Sequence, residues 1–142
     1  MLVVLLVLLV GSTSSADPSR RVVLLTQGAG ASAWETELLA ATQPQLADLG
    51  LGLTLTLRTP HESPAETAAL ARNLATAPSV LVVVWLDIEG STLTLSLFDP
   101  RTGRVQSRRF TPSRRRAATA EEMAIVVRAA ASAALETWET AE

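Results

Sequence analysis

The chain contains no cysteine, and this absence removes several kinds of structure and chemistry at once. It rules out a disulfide framework, a thiolate metal site, a cysteine nucleophile and a lipid-modified cysteine. The 142 residues are enough for one hydrophobic core, and a hydrophobic fraction of 48% is ordinary for a globular protein. We therefore expect one domain that is held together by packing alone.

Lysine is absent as well, so all twelve basic residues are arginines. Without lysine, the chain cannot form a Schiff base or supply the lysine of a Walker-type phosphate loop. Alanine, leucine, threonine and valine are abundant beside arginine, which is typical of a GC-rich genome, so the choice of arginine is not by itself evidence of phosphate binding. The net charge of −2 gives no general attraction to nucleic acid or to membranes.

The first sixteen residues have the features of a cleaved signal peptide. Leu2 to Val10 is an unbroken aliphatic run, and Ser14 and Ala16 are small residues at the −3 and −1 positions of a cut after Ala16. No basic residue precedes the run, which departs from the usual pattern, and the alternative is a buried first strand. Nine or ten apolar residues reach only about 15 Å as a helix, about half the hydrocarbon thickness, which argues against a retained membrane span. The sequence predicts export, to the periplasm or the cell exterior, of a single domain at residues 17–142.

The hydrophobic pattern predicts the element order βαβαβββα, an α/β fold with a small mixed sheet of about five strands and three helices. The first three strands are expected to be parallel, and the last two to form a meander. Capping-box signals at Ser63–Glu66 and Thr119–Glu122 predict two helix starts. Pro44 is expected to kink or break the first helix near Thr42. Residues 53–58 alternate leucine with polar residues, which predicts a strand with one inward face.

The pattern of strands and helices is similar to that of two groups of known domains. Residues 80–86, residues 95–105 and a helix that begins with Glu121-Glu122 resemble uncharacterised extracytoplasmic domains at the amino end of myxobacterial-type envelope proteins. This resemblance covers most of residues 20–138. The element order is also similar to the amino-terminal domain of the TolB family, which is periplasmic and uses that domain for protein contacts. The second resemblance concerns the fold alone and carries over no residues.

A glycine-rich turn follows the first predicted strand. Gly28, Gly30 and Ala33 fit the pattern G-x-G-x-x-A, and Ser32 is placed to cap the next helix. In dinucleotide-binding units, such a turn lets backbone amides approach a pyrophosphate at the helix N-terminus. The acid that would hold a ribose is missing, and Arg58 stands where it would meet a 2′-phosphate instead. These residues suggest a small-ligand or nucleotide site, and the alternative is a turn with only a structural role.

A cluster of arginines in the last third of the chain is a second candidate. Its members are Arg104, Arg108, Arg109, Arg114, Arg115 and Arg116. On a strand, Arg104 and Arg108 would share one face and Arg109 would take the other. Phe110 is the only aromatic residue nearby, which argues against single-stranded nucleic acid. The cluster could bind anionic lipid, lipopolysaccharide or an acidic protein partner. The alternative is a hairpin whose arginines are only solvated and bind no partner.

Residues that suggest catalysis are few. His61 is the sole histidine, and the sequence shows neither metal-ligand spacing around it nor a nucleophile elbow. Asp87 and Glu89 follow the most hydrophobic strand two positions apart, as a carboxylate pair would, although acids often simply solvate a strand end. We expect no catalytic residue, no metal and no cofactor.

Together these features predict a binding module of the cell envelope rather than an enzyme. Its expected partner is an envelope protein or an anionic surface component, which would contact the edge strand at residues 104–110 and the arginine loop after it. Nucleic acid is not expected as a partner. The alternative is a small-ligand or nucleotide-binding domain that uses the Gly28–Gly30 turn, and a spacer or folding unit is a third hypothesis. The oligomeric state is not indicated.

Overall fold

The computed structural model describes residues 20–27, 33–59 and 62–140. Within these ranges, five strands and three helices follow one another in the predicted order, which confirms the α/β fold class. The strands are β1 (Arg21–Thr26), β2 (Gly52–Leu57), β3 (Val80–Glu89), β4 (Thr92–Asp99) and β5 (Arg104–Phe110). The helices are α1 (Ala33–Asp48), α2 (Pro64–Leu74) and α3 (Arg116–Thr140). The predicted signal peptide at residues 1–16 lies outside the described residues.

The strands form one mixed sheet in the order β2-β1-β3-β4-β5. β1 lies parallel to β2 and to β3, because α1 and α2 are the crossover connections between these strands. β4 and β5 are antiparallel additions joined by tight turns, in which Gly90 and Gly103 have positive φ angles of 58° and 70°. The parallel half and the meander are both as the sequence predicts. In the part of the chain that the structure describes, β2 and β5 are the two edges of the sheet.

Helices cover both faces of the sheet. Val22 and Leu24 of β1 belong to the core that α1 and α3 cover. Val23 and Leu25 point the other way, into the core that α2 covers with Ala71. Because both faces are covered, the central strands β1 and β3 are hydrophobic without alternation. No helix in the described ranges is long and apolar enough to cross a membrane.

The edge strand β2 departs from its predicted role. Its leucines lie on the face that α1 and α3 cover, but only Leu53 packs against that core. Leu55 is 49% exposed and Leu57 is 69% exposed. The prediction of an inward face is therefore wrong for the second half of β2, because the strand lies at the edge of the sheet, where α1 covers only part of it.

The first helix contains a proline in its interior. The structure shows α1 as a single helix that continues through Pro44, so the predicted break near Thr42 does not occur. Proline removes the hydrogen bond that residue 44 would donate to the carbonyl of Ala40. Both Ala40 and Pro44 are exposed, so water reaches the freed carbonyl, while Thr42 and Leu46 on the opposite side stay buried in the core.

The two predicted capping boxes have different outcomes. At α2, the Ser63 side chain accepts a hydrogen bond from the Glu66 N–H, and the Glu66 carboxylate accepts one from the Ser63 N–H, each at 3.1 Å. The backbone bond from Ser63, followed by the side-chain bond, holds the pKa of Glu66 below its ordinary value. At α3 the prediction is wrong, since the helix begins at Arg116. Thr119 is buried inside it and accepts a hydrogen bond from the Ser113 N–H at 2.9 Å.

Candidate functional site

The arginine cluster of the sequence is carried by β5, by the loop after it and by the first residue of α3. We call it the arginine surface, and its members are Arg104, Arg108, Arg109, Arg114, Arg115 and Arg116. The register with β4 places Arg108 opposite Leu95 and Arg109 opposite Thr94, so the two arginines lie on opposite faces. Phe110 is buried and every other residue of β5 is exposed. The edge strand thus presents positive charge on both of its faces.

The guanidinium groups of the arginine surface form no ion pair in the described ranges, although Asp99 lies opposite Arg104 and Glu89 lines a groove together with Arg109. The ion pairs found there use other arginines, namely Arg20, Arg58, Arg101 and Arg128. The Arg108 guanidinium lies 5.4 Å from the centre of the Phe110 ring, and that of Arg116 lies 5.5 Å from the Trp34 ring. Stacking on a ring positions a guanidinium and leaves its N–H groups available to an anion.

Arg101, in the turn between β4 and β5, differs from the arginine surface because it is paired. Its Nε and Nη2 atoms donate to the two carboxylate oxygens of Asp99 at 3.0 and 2.8 Å. Partial burial raises the pKa of Asp99, but the hydrogen bonds and charge of Arg101, with a bond from Thr102, outweigh it and hold that pKa below its ordinary value. Arg101 therefore stabilises the turn between β4 and β5 through its contact with Asp99.

A cavity of about 430 Å³ lies at the carboxyl ends of β1, β2 and β3. Its lining includes Gln27 after β1, Arg58 after β2 and Asp87 on β3, together with Glu35 of α1 and Thr67 of α2. The two helices leave the sheet on opposite faces, and the cavity lies beside their first turns. In open α/β sheets, ligands bind in such crevices outside the carboxyl ends of the strands.

Arg58 is the buried cation of this cavity, with only 6% of its surface exposed. Its Nη2 atom donates to the Leu86 carbonyl oxygen at 2.8 Å and to the Asp87 carboxylate at 3.0 Å. Because β1 lies between β2 and β3, the side chain reaches across the end of β1 to make these bonds. A phosphate at Arg58 would therefore have to compete with Asp87 for the guanidinium.

Most of the charged residues in the lining of the cavity are acidic. Besides Asp87, it contains Glu35, Glu62 and Glu89, against the single guanidinium of Arg58. Glu62 accepts a hydrogen bond from the Thr67 hydroxyl at 3.2 Å. The structure, within its described ranges, contains no group of three or more side chains placed to hold a metal ion. The charge of the lining favours an organic cation over a phosphate.

Several predicted site residues cannot be placed in this geometry. Gly28, Gly30, Ser32 and His61 lie outside the described residues. Arg58 does line the cavity at the strand ends, where the ligand hypothesis puts it. The two acids of the predicted carboxylate pair have different surroundings. Asp87 binds Arg58, while Glu89 lies further along β3 and is exposed.

Comparisons with known proteins find only a weak similarity of this fold to solved structures. Neither a protein family model nor a curated protein sequence matches the chain. The chain is similar in structure to threonyl-tRNA synthetase ThrRS-1 from Aeropyrum pernix, with a TM-score of 0.46 and 13% identity over 85% of this chain and 26% of that one. It is also similar to TolB from Acinetobacter baumannii, with a TM-score of 0.43 and 11% identity over 82% of this chain and 28% of that one. The chain thus spans about a quarter of the length of either protein. The fold-level resemblance to TolB is found, while the resemblance to myxobacterial envelope proteins stays a prediction.

Sequence reasoning missed the acidic cavity and the partner of Arg58. The sequence does show that Glu35 and Glu62 stand near helix starts and that Asp87 stands near a strand end. It does not show that β2 and β3 lie on either side of β1, and this placement brings Arg58 to Asp87.

Proposed function

We propose that this chain is a non-catalytic binding module that takes up an extended, acidic segment of another protein along β5. The observation that carries the proposal is an edge strand whose arginines form no ion pair in the described part of the chain. As the export signal suggests, the partner would be a protein of the cell envelope.

The edge position of β5 supports a partner that binds as a strand. One side of β5 is hydrogen-bonded to β4, and no other strand in the described ranges pairs with its second side. An extended peptide adds to such an edge through backbone hydrogen bonds, while its side chains are read by the flanking residues. The strand at residues 104–110 is long enough to pair with several residues of a partner.

The charge of β5 supports an acidic partner. Arg104 and Arg108 lie on one face and Arg109 lies on the other, so acidic side chains on either face of an added strand would meet a guanidinium. Arg114 and Arg115 extend the charge beyond the end of the strand. Like charges also disfavour pairing of β5 with a second β5, which keeps this edge open to a different partner.

The first test uses defined peptides, because the natural partner is not identified. Three labelled peptides of about eight residues would alternate valine with glutamate, with glutamine or with lysine. We expect the glutamate peptide to bind most tightly, and its affinity to fall as salt is raised from about 25 to 250 mM, because exposed charges are screened. Fluorescence anisotropy measures all three affinities.

Charge reversal on β5 tests the same proposal by changing the protein instead of the peptide. We expect Arg109→Glu to weaken binding of the glutamate peptide by about tenfold, because an attraction becomes a repulsion. Arg72→Glu on α2 is the matched control, since Arg72 is also exposed and the change in net charge is the same. Equal losses in the two variants, or glutamine-peptide binding as tight as glutamate-peptide binding, would contradict the proposal.

A second candidate function is supported by the cavity at the strand ends. A volume of about 430 Å³ is suitable for a small molecule, and Arg58 lies in its lining. In this alternative the chain binds a small ligand there, and the acidic lining favours one that carries an amine or a guanidinium group. A nucleotide, as the glycine-rich turn suggests, is the competing ligand.

Thermal melts with a ligand panel distinguish these functions. The panel would contain nucleotides, polyamines, heparin and anionic lipid headgroups, and a ligand at about 100 times its dissociation constant adds about 2.7 kcal/mol to the free energy of unfolding. If the cavity is a ligand site, we expect polyamines to raise the melting temperature by several degrees and Glu62→Gln to reduce that shift. A shift with nucleotides that Gly30→Val removes would favour the nucleotide instead. A shift with polyanions alone would leave the arginine surface as the only binding site.

A further inference from the structure

The second edge of the sheet, β2, is chemically the opposite of β5. Its six residues, Gly52–Leu57, contain no charge and no proline, and they alternate threonine with leucine. Leu55 and Leu57 are 49% and 69% exposed. Edge strands are usually protected from pairing by charges, prolines or bulges, and β2 has none of these in its sequence. Such an edge favours pairing with another strand.

The hydrogen-bond pattern shows which backbone groups β2 presents. The Gly52 N–H donates to the Arg20 carbonyl at 3.2 Å, and the Arg58 N–H donates to the Thr26 carbonyl at 2.8 Å. Because the direction of backbone groups in a strand alternates with a period of two, the even-numbered residues face β1. The N–H and C=O groups of the leucines at 53, 55 and 57 therefore point outward.

We infer that β2 pairs with β2 of a second copy of this chain, antiparallel and about a two-fold axis through Leu55. In this register Leu55 faces Leu55 of the second copy, and Leu53 faces its Leu57. Each of these pairs exchanges two backbone hydrogen bonds, so every outward group of the leucines is used. The two paired copies then form one continuous sheet, and its two edges are the β5 strands of the two copies.

The side chains favour the same register. Residues that lie directly opposite each other in an antiparallel pair share a face, so the exposed leucines of the two copies would pack together, and the threonines likewise. No like charges meet, because β2 carries none. The arginines make the same pairing unfavourable at β5, and the second copy is therefore directed to β2. This inference does not depend on the proposed function of β5.

Single cysteines test this register, because the natural chain has no cysteine. In the paired state the two copies of residue 55 have Cα atoms about 5.5 Å apart, which suits a disulfide. The two copies of residue 57 are four residues out of register, about 13 Å apart. With the full chain under mild oxidation, we expect Leu55→Cys to form a disulfide dimer at least tenfold faster than Leu57→Cys, although Leu57 is the more exposed position.

Light scattering of the unmodified full chain provides the second measurement. We expect the mass of a dimer, the mass of a monomer for Leu55→Lys, and a dimer again for Val105→Lys, the matched change on the exposed strand β5. Circular dichroism checks that each variant is folded. Faster oxidation of Leu57→Cys would overturn the register. A monomeric unmodified chain, or particles that grow beyond a dimer, would overturn the pairing, because β2 would then be covered by another segment or be a site of aggregation.

Discussion

Truncation of Leu95 to alanine is expected to lower the free energy of unfolding by about 3 kcal/mol. Leu95 is completely buried in the centre of β4, in the core that α1 and α3 cover. Removing three buried carbon atoms loses their transfer free energy and leaves a cavity that the rigid sheet cannot close. The change is measured by urea unfolding, with the fluorescence of the three tryptophans as the signal.

Leu57→Ala is the matched control for this prediction. Leu57 has the same alternating sequence context as Leu95 but is 69% exposed, so we expect a change within about 0.5 kcal/mol. Both truncations would be made in the Leu55→Lys background, so that pairing between copies does not contribute. A similar loss at the two positions would show that β2 is covered and would contradict its edge position.

Removal of the Asp87 carboxylate is expected to lower the free energy of unfolding by about 2 kcal/mol. Asp87→Ala leaves the guanidinium of Arg58 buried with the Leu86 carbonyl as its one remaining partner among the described residues. Breaking a fully buried ion pair costs about 3–5 kcal/mol. The expected value is smaller because the Asp87 side chain is 46% exposed, so water reaches the site that its carboxylate leaves.

Two further variants separate this effect from a general loss of charge. Asp48→Ala removes the carboxylate partner of Arg128, which is half-buried and also bonds Gln45, and because Asp48 itself is exposed the change should cost less than about 1 kcal/mol. The double variant Arg58→Met with Asp87→Ala should be more stable than Asp87→Ala alone, because no charge is then left buried. If the double variant is the less stable one, Arg58 acts through packing rather than through its charge.

Local patterns determined most of the secondary structure. The uniform hydrophobicity of β1 and β3 is typical of buried strands, because a strand covered on both faces has no polar side. The capping box at Ser63 located a helix start through contacts within a few residues, and the hairpin turn at Gly103 is equally local, since it depends on the positive φ angle of one glycine. The box at Thr119 failed because its hydroxyl bonds the preceding loop instead.

The candidate site was predictable in part. The arginine surface was found from the sequence, since charges on an edge strand need no partner in the fold to be exposed. The cavity was not found, because its lining comes from strands and helices that are far apart in the chain. The contact of Arg58 with Asp87, 29 positions apart, depends on the strand order, which places the ends of β2 and β3 on the two sides of β1.

The sequence by itself determined the order of elements, the two kinds of strand and the charge of β5. It did not distinguish β2 from β4, whose leucines alternate with polar residues in the same way. In the structure, Leu93 and Leu95 of β4 are buried, whereas Leu55 and Leu57 of β2 are exposed. The alternation of leucine with polar residues indicates only that a strand has one apolar and one polar face. Whether the apolar face is covered depends on the position of the strand in the sheet, which long-range packing decides.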